Sequence, residues 1–67
     1  MVTSYDFQYR GPALSYVSHT IATWCASHDC MLEVTPLFEG ARFRVSGRQD
    51  AVRDAIQMVS VWIRRAA

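Results

Sequence analysis

Five residues constrain this chain more than any others: Ala41-Arg42-Phe43-Arg44-Val45, set between Gly40 and Gly47. Ala41, Phe43 and Val45 fall on one side and Arg42 and Arg44 on the other, the two-residue period of a strand that is apolar on one face only. The two glycines read as its limits, with Gly40 free to take a positive φ in the turn before it. A strand of this kind needs neighbours along its edges and a cover over its apolar face, and the rest of the chain reads as supplying both.

Residues 2–10 alternate Tyr5, Phe7 and Tyr9 with Ser4, Asp6, Gln8 and Arg10, which predicts a first strand rich in aromatics. Gly11-Pro12 ends it. Residues 13–28 place Leu14, Val17, Ile21, Trp24, Cys25 and His28 at three- and four-residue spacing, a helical stripe. Residues 30–37 predict a second strand with Cys30, Leu32 and Val34 on one face; Pro36 cannot donate to a ladder and assigns it to a sheet edge. Residues 48–65 predict a second helix with Val52, Ala55, Ile56, Val59, Trp62 and Ile63 buried. Met58 and Val61 fall outside that stripe and are read as a candidate contact patch.

The order is β-α-β-β-α. A right-handed crossover makes the first two strands parallel, and a hairpin makes the third antiparallel to the second. The third strand then lies between the others, with both helices on one face. This is an α+β arrangement, the ferredoxin-like split βαβ layout without its last strand. The missing strand leaves one edge of the first strand open. Pairing that edge with a second copy predicts a homodimer with a continuous six-stranded sheet.

The 67 residues allow a single domain over 1–67, and an apolar fraction of 51% is enough for a core with surface to spare for a protein partner. Net charge is +1, so no general pull toward nucleic acid or membrane is expected. Every basic residue is arginine, the better donor for paired recognition of carboxylate or phosphate. No run of about 20 apolar residues exists to span a membrane, and Met1 to Asp6 show neither a basic start nor an apolar run of a leader. The two cysteines are expected to be reduced, which points to the cytoplasm.

Two clusters could carry chemistry. Cys25, His28 and Cys30 form a C-x2-H-x-C set, to which Asp29 or His19 could add the fourth ligand that zinc requires. Both cysteines fall on predicted core faces, so the expectation is core cysteine, with no metal and no cofactor. Arg10, Arg42 and Arg44 share the open sheet face and are candidate binding residues. Gly40 to Val45 resembles the third-strand motif of RNA-recognition domains, which implies nucleic-acid binding on that face. Here, however, the aromatics fall on the helix side, and Asp6 and Glu33 stand close enough to pair with the arginines.

The element order, with Ser46-Gly47 leading into an amphipathic helix, also resembles the acylphosphatase type of ferredoxin-like fold. That family uses a glycine-rich phosphate loop with an arginine, and an asparagine to position water. Arg10-Gly11-Pro12-Ala13-Leu14 has one glycine, and the chain has no asparagine. The resemblance therefore implies a fold and not the activity. Val45-Ser46-Gly47 before Asp50-Ala51-Val52 is similar to K-homology strand-to-helix junctions, without their Gly-x-x-Gly clamp. No nucleophile, base and oxyanion set can be assembled. The sequence reads as a non-enzymatic interaction or regulatory module that self-associates through its first strand. RNA binding through the arginines and metal binding through the cysteine cluster are the alternatives.

Overall fold

A computed structural model describes residues 2–66. The chain runs β1 (Val2–Arg10), α1 (Leu14–Ser27), β2 (Met31–Leu37), β3 (Gly40–Arg48) and α2 (Gln49–Ala66). The sheet order is β1-β3-β2, and both neighbours run antiparallel to β3. Ala41, Phe43 and Val45 form the apolar face of this central strand, and all three are buried. Val17, Ile21 and Cys25 of α1 and Ala55 and Trp62 of α2 close over them, so both helices lie on one face. Burying a side chain the size of Phe43 contributes about 1.5–3 kcal/mol. Phe43 also stacks on Phe7 at 5.4 Å, and Trp62 joins Phe7 at 6.4 Å and meets the edge of Trp24 at 5.6 Å.

Several expectations are corrected. The central strand does not stop at Gly47: it continues to Arg48, with Gly47 opposite Thr3 and Arg48 opposite Val2. Glycine suits that position because a β-carbon there would come within 3.2 Å of Cys30 Sγ. Gly40 is not the residue with positive φ. Glu39 takes that conformation at φ 59°, and Gly40 is needed because a β-carbon would run into the Tyr9 carbonyl and the Arg10 backbone. Cys30 precedes β2 rather than opening it.

The buried side of α2 is also rolled from the expected one. Val52, Ala55 and Trp62 are buried and Met58 packs against the core, while Ile56 and Ile63 remain 45% and 37% exposed. The cause is α1, which lies beside α2. A helix with a neighbour on one side turns its apolar stripe toward the angle between that neighbour and the sheet. Met58 therefore moves inward and the Ile56–Ile63 flank moves out.

Hydroxyl residues of α1 bond within the helix. Thr23 Oγ1 donates to the His19 carbonyl at 2.9 Å and Ser27 Oγ to the Thr23 carbonyl at 3.0 Å, the short-range option open to Ser and Thr away from the core. Among the described residues no helix is long and apolar enough to cross a membrane.

Candidate functional site

The three candidate arginines share the open face of the sheet but have different surroundings. Arg44 lies opposite Asp6 across the β1–β3 ladder, and its guanidinium grips both carboxylate oxygens, Nε to Oδ1 at 2.8 Å and Nη2 to Oδ2 at 3.1 Å. Those two donors lower the Asp6 pKa and raise that of Arg44. Glu33 is opposite Arg44 on the other side, and its negative charge further raises the Arg44 pKa. Among the described residues, however, the only salt bridge of Arg44 is to Asp6. Arg10 donates from Nη1 to the Phe38 carbonyl at 3.0 Å, tying the end of β1 to the hairpin tip. Arg42, opposite Gln8 and Thr35, forms no side-chain hydrogen bond or salt bridge among the described residues. Tyr5, Phe7 and Tyr9 alternate onto the helix side of β1, so the open face lacks their rings for base stacking.

The Cys25–Cys30 cluster is the C-terminal cap of α1. His28 occupies the cap position, Asp29 turns the chain in the left-handed region at φ 58°, and the Cys30 N–H returns to the Cys25 carbonyl at 2.9 Å. That is the long-range bond of a Schellman turn, which commonly brings together the side chains of the two residues it joins. The C-x2-H-x-C spacing is thus the spacing of a helix stop. Cys25 is buried, and desolvation pushes its thiol up to about 11. The Cys30 thiol is also raised, by burial first and then by Asp29 and Asp50. Thiolates are what bind zinc, and both sites disfavour them. The ring of His28 stacks on Trp24 at 4.0 Å, and its Nδ1 donates to the Trp24 carbonyl at 2.9 Å. Among the described residues no group of three or more His, Cys, Asp or Glu side chains is placed to hold a metal ion.

An open concavity of about 770 Å³ lies between the end of β1 and the β2–β3 hairpin, with Arg10, Pro12, Leu14, Pro36, Leu37 and Glu39 in its wall. Its lining contains no Ser, Thr, Cys, His or Tyr.

The free edge of β1 stands apart from these. The Gly11 N–H donates to the Glu39 carbonyl at 3.2 Å, which fixes the phase of the β1–β3 ladder. Antiparallel partners alternate between bonded and non-bonded pairs, so Tyr9, Phe7, Tyr5 and Thr3 bond inward to β3. Val2, Ser4, Asp6, Gln8 and Arg10 direct their N–H and C=O groups outward. This edge runs nine residues without a proline. The side chains that sequence reasoning missed are Ile56 and Ile63, both expected in the core. A signal was present: Val52, Ala55, Ile56, Met58, Val59, Val61, Trp62 and Ile63 together are too broad a stripe for one three-stranded sheet to cover.

Scans against protein-family models, curated proteins and solved structures each return no match for this chain.

Proposed function

We propose that the chain is a non-enzymatic interaction module that self-associates through the free edge of β1. The observation that carries this is the row of outward N–H and C=O groups on Val2, Ser4, Asp6, Gln8 and Arg10, over a strand with no proline to blunt it. An exposed edge of that length is a template for another strand. Nucleic-acid binding has less support, because Arg44 is held by Asp6 and Arg10 by the hairpin. Metal binding has less support because the cysteine cluster serves as a helix cap.

Sedimentation equilibrium tests the proposal. The wild-type chain is expected to show a monomer–dimer equilibrium as concentration rises from micromolar to millimolar. Gln8→Pro removes an outward donor without touching the β3 ladder and introduces a residue that edges tolerate. It should weaken association about tenfold or more, since the two-fold repeats the lost bond in both copies. A wild-type chain that stays monomeric throughout would overturn the reading.

A further inference from the structure

We infer that the exposed flank of α2 is the second half of the same interface, and that Ile56 meets the partner's Ile63 across a two-fold axis beside Phe7. This rests on the self-association of β1 proposed above and specifies what else the two copies bring together.

The placement follows from the packing of α2. The helix packs on both β1 and β3 and has α1 on one side only. Met58 packs inward against the core, and around the helix it lies on the opposite side of the buried stripe from Ile56 and Ile63. The Met58 side is therefore the one beside α1. The flank of Ile56 and Ile63, with half-buried Val59 between them, looks out over the free edge of β1.

The spacing fits a second copy. An α2 axis that lies between β1 and β3 is at most one strand spacing inside β1. Two antiparallel β1 strands add one further spacing, so the two α2 axes stand between one and three strand spacings apart. At about 4.8 Å per spacing that is roughly 5–15 Å, a span that includes the 8–10 Å at which helices pack side by side.

The level fits as well. The Trp62 ring touches Phe7, and helical side chains lean toward the N-terminus, so Phe7 lies about level with the backbone of Val59. A two-fold axis at Phe7 therefore passes midway between Ile56 and Ile63 and sets each against the other in the partner. The same register pairs Asp6 with the partner's Gln8 and Ser4 with the partner's Arg10. Of the two adjacent registers, the one centred on Asp6 would oppose two carboxylates and is disfavoured, and the one centred on Gln8 would move the axis about 3.3 Å along β1, off the midpoint between Ile56 and Ile63.

Many strands could satisfy the β1 edge. Covering Ile56 and Ile63 also takes an apolar surface at the same height on the same side of the sheet, and a two-fold copy supplies both at once.

Charge complementation tests the pairing. Ile56→Lys and Ile63→Glu are made separately, with circular dichroism confirming that each folds; Ile56→Ser and Ile63→Ser are the milder substitutes if one does not. Each charged variant alone should self-associate about tenfold more weakly than wild type. Mixed in equal amounts, the two should recover association to near the wild-type strength, because the new lysine then faces the new glutamate. Single variants that associate like wild type, or a mixture no tighter than its components, overturn the α2 contact. In that case the β1 reading still stands on the wild-type and Gln8→Pro measurements. A monomeric wild-type chain overturns both. With the serine variants alone, undiminished association likewise overturns the contact, and a severalfold loss supports it.

Discussion

The sheet has two free edges, and they are finished differently. β2 bonds to β3 through Met31, Glu33, Thr35 and Leu37, so Leu32, Val34 and Pro36 face outward. Pro36 has no N–H, and a third of the outward donors of that edge is therefore missing. β1 is longer, lacks proline and turns five residues outward, beneath a helix flank that carries two exposed isoleucines. An apolar α2 flank beside an unblunted edge, and a proline on the opposite edge, leave one side of the sheet open and blunt the other. The difference is made of backbone donors rather than of charge, which is why net charge is silent about it.

The harshest way to break this contrast is to remove the cover over β1. Trp62 is buried and touches both Phe7 and Trp24. Trp62→Ala should cost about 3–5 kcal/mol in chemical unfolding. Hydrogen exchange should accelerate more in β1 than in β2, because α2 rests on β1 and α1 on β2. Equal acceleration in the two strands would show that the edges share one cover. A gentler way is to open the guarded edge. Pro36→Thr restores an outward N–H on β2 with little change in stability. It should convert the proposed dimer into larger, concentration-dependent species, read by light scattering.

The smallest effect sharpens the comparison within β1. The Asp6–Arg44 pair is half exposed and anchors β1 to β3 on the open face. The folded-state pKa of Asp6 lies below its ordinary 3.8, so the pair stabilises the fold above that pH. The contribution is lost as pH falls through the lowered folded value. Asp6→Asn should therefore reduce the urea midpoint slightly at neutral pH and remove that part of the acid-side decline, in dilute solution where copies do not associate.

The element order and the identity of the central strand were legible because both rest on period. Phe43 and Val45 alternate with arginine, and Val17, Ile21 and Cys25 repeat at helical spacing. The roll of α2 was not legible, since Ile56 and Met58 are equally apolar and only the position of α1 decides which turns inward. The Cys25–Cys30 cluster was legible as core cysteine from its place on the apolar faces, but its role as a helix stop was not, because a helix stop and a ligand set can share one spacing and only the backbone path through Asp29 distinguishes them. The free edge could be anticipated from a strand count. Which amides face outward depended on the phase of the ladder, and that phase is set by the two-residue hairpin and the bond from Gly11.

The two residues in the left-handed region, Asp29 and Glu39, lie just outside the two ends of β2. Glycine would adopt that backbone with less strain at either place. A carboxylate instead stands at each end of a segment, Met31–Leu37, that exposes Met31 and Val34. In colloidal terms these acids act as gatekeepers: like charges at both ends of an apolar, strand-prone segment discourage the β2 segments of crowded copies from stacking, even in a partly opened chain. The chain accepts conformational strain at two turns and places a like charge on either side of β2.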